Sequence, residues 1–127
     1  MSDATTQGIR VQVRSAYLPE RSAPGDRRFL FAYFVRISNV GGVRAQLVSR
    51  TWIITDADGN EQQVTGPGVV GEQPVLDPGE TFEYSGFCPL PTAVGSMRGA
   101  YRMITVSGEA FEAEVAPFTL ATPHALN

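Results

Sequence analysis

Apolar side chains in this chain recur at every second residue, and glycine or proline breaks each run before it is long enough to become a helix. Ile9, Val11, Val13 and Tyr17 share one parity, with Arg10, Gln12 and Arg14 between them. Successive side chains of a strand point to opposite faces, so this spacing predicts a strand with one dry and one wet face. The stretch 29–39, FLFAYFVRISN, is too rich in aromatic and β-branched residues to prefer a helix and reads as a second strand, ended by Val40-Gly-Gly.

Further strands are expected at 46–55 around Trp52, at 61–65, at 81–88, and as a hairpin of 100–106 with 109–120. Turn signals separate them: the loop 20–26 with Pro24-Gly25, the run Asp56-Ala-Asp-Gly-Asn60, Asp77-Pro-Gly-Glu80 in the residue order of a type II turn, 95–99, and Ser107-Gly108. Pro89 and Pro91 are expected to stop the strand before them, and Pro117 to place the end of its segment on a sheet edge or past its pairing region. Seven to eight short strands without a convincing helix predict an all-β fold: a single-domain antiparallel β-sandwich over residues 1–127, of immunoglobulin or fibronectin III type, with a closed barrel as the alternative the pattern also allows. Its core is expected over about 9–120. The segments 1–7 and 121–127 are expected to be flexible tails.

Composition excludes several chemistries. A chain of 127 residues is long enough for one domain that buries roughly two thirds of its unfolded surface without metal or disulfide. One cysteine, Cys88, cannot form an internal disulfide, and with one histidine, His124, it cannot build a zinc cage. All ten basic residues are arginine, so Schiff-base chemistry and a phosphate-binding lysine are absent. Neither a signal-peptide pattern nor a run of 18 apolar residues occurs, which predicts a cytoplasmic protein without membrane insertion. Residues 1–50 carry eight arginines against Asp3, Glu20 and Asp26, whereas 51–127 carry Arg98 and Arg102 against ten acids. Such polarity would suit an anionic partner or head-to-tail contacts, but a sandwich that interleaves its halves would cancel it.

Gly66-Pro67-Gly68-Val69-Val70-Gly71 matches the phosphate fingerprint G-x-G-x-x-G. That motif needs a helix behind it, and Pro67 and Pro74 deny one, which leaves a glycine-rich crossing loop or an anion-binding nest of backbone amides. Arg50 shares parity with Trp52 and would face the core unless the strand bulges near it or the guanidinium reaches past the sheet edge. A partner there could be a carboxylate or the loop 66–71, so Gly66, Gly68, Gly71 and Arg50 form the candidate anion-binding set. Asp56 and Asp58 superficially resemble a calcium loop, but Glu61 stands where that loop needs glycine and Pro67 where it needs a bidentate Glu. They remain weak candidates in a chain otherwise expected to hold neither metal nor cofactor.

No nucleophile–base pair is legible: His124 lies beside Pro123 near the chain end, Cys88 precedes Pro89, and G-x-S-x-G does not occur. The chain is therefore not expected to be an enzyme. The aromatics share the parity of a core and the chain is acidic overall, so nucleic acid is not an expected partner.

Five blocks carry a more specific signal: 31–39 (FAYFVRISN), 49–56 (SRTWIITD), 66–74 (GPGVVGEQP), 76–79 (LDPG) and 95–101 (GSMRGAY). In their order and spacing, from about Ile9 to Pro123, the chain resembles the ApaG family. The resemblance implies a fibronectin III-like sandwich without catalytic activity, associated in bacteria with cobalt resistance and magnesium efflux. Related domains in an F-box protein and a polymerase-interacting protein imply a protein-interaction module. The family's glycine loop, regarded as a pyrophosphate-binding motif, falls on Gly66, Gly68 and Gly71. The expected partner is thus another protein, with a phosphate-containing small molecule as the alternative, and any part in cation efflux would be indirect. Exposed edge strands leave a homodimer open.

Overall fold

A computed structural model describes residues 1–125, in which nine strands form two antiparallel sheets. The strands are β1 (Ser2–Thr6), β2 (Ile9–Tyr17), β3 (Phe29–Asn39), β4 (Ala45–Asp56), β5 (Glu61–Pro67), β6 (Val75–Leu76), β7 (Thr81–Leu90), β8 (Val94–Thr105) and β9 (Ala110–Ala121). One sheet is ordered β1-β2-β3-β7 and the other β5-β4-β8-β9, with the short β6 on β4. The expected all-β sandwich is what the chain forms.

Alternation builds the core. Ile9, Val11 and Val13 of β2 face Phe111, Ala113, Val115 and Leu120 of β9, all buried. Burying one such large aliphatic side chain contributes about 1.5–3 kcal/mol. Trp52 lies at the centre, 97% removed from solvent, with rings of Tyr33, Tyr101 and Phe118 within 5.3–6.0 Å between centroids. β9 closes one side of the sandwich against β1 and β2: the Glu114 amide donates to Thr6 Oγ1 at 3.1 Å and Ser15 Oγ donates to the Thr119 carbonyl at 2.9 Å.

The turns obey their residues. Gly59 and Gly79 have φ of 85° and 90°, and the Glu80 amide donates to the Asp77 carbonyl at 2.9 Å, closing the type II turn expected there.

Several expectations need correction. The segment 1–7 is not a tail: β1 pairs with β2 from Ser2↔Val13 to Thr6↔Ile9. Its turn is Gln7-Gly8, both at positive φ, the type I′ geometry that follows the strand twist. At the other end, β9 runs to Ala121, and the Thr122 amide donates to the Ala93 carbonyl at 3.0 Å. Leu126 and Asn127, the last residues of the expected tail 121–127, lie outside the described residues. The strand count rises to nine through β1 and β6.

Pro89 does not stop its strand, because β7 is an edge and a missing N–H there costs no ladder bond. Nor are 95–99 a turn; they lie inside β8. A Cβ on Gly99 would overlap the Thr51 carbonyl oxygen, so these glycines serve close strand contact and a register shift between Met97 and Gly99. Finally, the halves interleave only in part: β7 of the second half joins the first sheet, and the start of β4, with Arg50, lies in the second. β1, β2 and β3 still lie side by side, which keeps Arg10, Arg14 and Arg36 in one sheet.

Candidate functional site

The loop 66–73 leaves β5 and folds back over β4. Its shape begins with a fault in β4: the pairing with β8 shifts between Leu47 and Ser49, a bulge at Val48. Leu47 and Trp52, of opposite parity, are therefore both buried. The bulge also frees the Val48 carbonyl to accept from the Gly68 amide at 2.9 Å and from Gln73 Nε2 at 2.9 Å.

Arg50 is the second support. Its guanidinium lies flat against Gly66, where an added Cβ would meet Cζ at 3.3 Å, and Nη1 donates to the carbonyls of Pro67 at 3.1 Å and Gly68 at 2.8 Å. Of the two alternatives posed by its parity, both hold: the strand bulges and the side chain reaches the loop. Its ligands are carbonyls of the loop, so the cation braces the backbone from beneath.

Within the loop Val69 is fully buried, and its amide and that of Glu72 each donate to the other residue's carbonyl at 2.8 Å. Gly68, at φ 58°, sits so close that a Cβ would overlap the Glu72 carbonyl oxygen. Pro67 has no N–H. The amides of Val70 and Gly71 at the tip have no partner among the described residues. Val70 itself is 62% exposed and at φ 43°, a conformation that β-branched residues rarely adopt. Gly66, Gly68 and Arg50 are thus brought together, while Gly71 stands apart at the tip with φ 80°.

Beneath the loop lies a polar aromatic cluster that the sequence did not announce. The hydroxyls of Tyr84 and Tyr101 are hydrogen-bonded to each other. Burial raises the pKa of both phenols above the usual range; Arg50 nearby opposes that shift. The Trp52 indole N–H is buried without a partner in hydrogen-bond geometry, although it too pulls on the Tyr84 phenol. Cys88 is buried, and its thiol is pushed up to about 11 by desolvation, which leaves it protonated at neutral pH.

Asp56 and Asp58 are engaged elsewhere. Asp56 Oδ1 accepts from the amides of Asp58 at 2.9 Å and Asn60 at 3.0 Å, an Asx turn, and Asp58 pairs with Arg27 at 3.3 Å. Among the described residues no three His, Cys, Asp or Glu side chains cluster as a metal site would require, and no helix is long and apolar enough to cross a membrane. Asn39 was not singled out by its sequence context. It is buried, and Nδ2 donates to the carbonyls of Val43 and Leu76 while Oδ1 accepts from Gly41.

Comparison with known proteins gives a consistent answer. The family described as the ApaG domain (DUF525) matches residues 19–105. Proteins named Protein ApaG are similar over the whole chain and their own whole length: one from Anaeromyxobacter sp. (strain K) at 61% identity and one from Thiobacillus denitrificans at 52%. A crystal structure of a Bordetella pertussis protein named ApaA superposes with a TM-score of 0.91 at 48% identity, covering 96% of this chain and 99% of that one. The C-terminal domain of wzt, at 10% identity and TM-score 0.53, shares the fold alone.

Proposed function

The chain belongs to the ApaG domain family, and we propose that it is a non-enzymatic, cytoplasmic interaction domain that docks a partner protein on the tip of the loop 66–73. Its part in cobalt and magnesium homeostasis, which the family resemblance implies, would run through that partner. The observation that carries this reading is Val70. An apolar, β-branched side chain is held out to water in a left-handed conformation that costs on the order of 1–3 kcal/mol. Such strain persists only where the surroundings over-determine it, here the buried Val69, the close-packed Gly68 and the Arg50 brace. Burying Val70 against a partner would remove apolar surface from water without any reordering of the loop.

The loop suits an anion less well. Arg50 is turned toward carbonyls, and three of the amides a nest would need are already engaged within the protein. Affinity capture with the purified chain, wild type beside Val70→Asp, tests the reading. Proteins retained by the wild type and lost with the variant are expected; identical captured sets would overturn it. In amide spectra, pyrophosphate is expected to leave Val70 and Gly71 unmoved. A shift there that Arg50→Ala abolishes would transfer the function to a pyrophosphate-like ligand.

A further inference from the structure

The face of the β1-β2-β3-β7 sheet that points away from the core is not a plain solvated surface. In register across it stand Arg14, Phe34 and Ser85, then Gln12, Arg36 and Glu83, then Ala16, Ala32 and Phe87. Phe87 is 55% exposed, on the wet side of an edge strand. Two guanidiniums lie over the rings: Arg14 Cζ is 4.2 Å from the Phe34 centroid and Arg21 Cζ 4.8 Å from that of Phe87. Among the described residues, Arg14, Arg21 and Arg36 have no carboxylate within ion-pair distance, although Glu83 is the register neighbour of Arg36. A groove of about 440 Å³ runs between Arg14, Phe34, Arg36 and Glu83.

We infer that this face binds an acidic protein segment in which carboxylates alternate with apolar side chains. This is a second surface, independent of the loop 66–73. The argument is charge complementarity with a fixed geometry. A guanidinium stacked on an aromatic ring is held in its plane, so its N–H fork stays directed outward and loses little freedom when it takes a carboxylate in two parallel bonds. Arg14 and Arg21 are held in this way, and Arg36 stands beside Arg14 across Gln12 and Phe34. The apolar parts of the half-buried Phe34 and the exposed Phe87 supply the contact between the charges. Nucleic acid fits less well: the Arg14 and Arg21 stacks occupy ring faces that bases would need, Glu83 stands within the groove, and the chain carries net charge −3.

The test uses the ¹⁵N-labelled full chain and a synthetic peptide alternating Glu with Phe. Amide shifts are expected along β2, β3 and β7. The pair Arg14→Ala with Arg36→Ala should weaken binding about tenfold, and Arg14→Lys should recover little of it, because lysine keeps the charge and loses the stacked fork. A peptide with Lys in place of Glu should not bind. Unmoved sheet amides, equal binding of the Lys peptide, or displacement by oligothymidylate from the same face would overturn the proposal. Self-association abolished by Arg36→Glu would assign the face to a second copy instead and would also overturn it. Shifts confined to 66–73 would overturn this proposal while leaving the loop reading in place.

Discussion

Arg50 stands on the inward side of β4, and its parity alone marked it as a residue whose charge needed an explanation. The explanation is the pair of carbonyls at Pro67 and Gly68, which no sequence rule could supply because it depends on a bulge two residues earlier. The same limit applies to Tyr84 and Tyr101. Each has the spacing of a core residue, but their hydroxyl contact joins residues 17 apart in sequence, on strands of different sheets. Cys88 and these phenols set an alkaline limit to stability. Folding raises the thiol from 9.0 to about 11, so its contribution is fully present below pH 9 and is lost as pH rises from there through about 11. Cys88 alone should remove about 2–3 kcal/mol by the top of that window, and the two tyrosines should begin to add to the loss above their unfolded value of 10.0. Urea midpoints measured from about pH 8 to pH 11 check this. Cys88→Ala should be less stable at neutral pH and show a flatter alkaline decline, and an unchanged decline would refute the assignment to Cys88.

At the scale of elements, alternation and turn residues located β2, β3, β4, β5, β7 and the β8–β9 hairpin, because these strands bury one face and their turns carry the residues the geometry demands. β1 was illegible. Its sequence, SDATT, has no large apolar side chain, and Gln7-Gly8 is not the usual pair for a type I′ turn. The glycines of β8 misled for the opposite reason: glycine marks both turns and places where two backbones touch. Asn39 decides how three elements meet. It ends β3, reaches the carbonyl of Leu76 in β6, and its own amide and carbonyl bond to Glu80 and Gly79 before β7. Asn39→Ala would leave buried carbonyls without donors and is expected to cost about 2–4 kcal/mol, measurable by chemical denaturation. A loss below about 1 kcal/mol would mean that water replaces the amide.

For the molecule as a whole, β1 belongs to the fold. Deleting residues 1–6 would strip the edge of β2 and remove the Thr6 contact to β9, and it should lower stability by at least about 2 kcal/mol. An unchanged melting temperature in calorimetry would show that β1 adds nothing. The two long sides of the sandwich also differ in kind. Along one, β1 and β2 approach β9 closely and are stitched to it; along the other, β5 and β7 show no comparable approach among the described residues. The molecule is therefore bound like a book, with its spine at β9. The interior is graded to match: aliphatic toward the spine, with Val11, Val13, Ala113 and Val115, Trp52 at the centre, and polar-aromatic toward the fore-edge, with Tyr33, Tyr84 and Arg50. An opening along the fore-edge would therefore let water reach first the groups that can hydrogen-bond with it, before the aliphatic gutter.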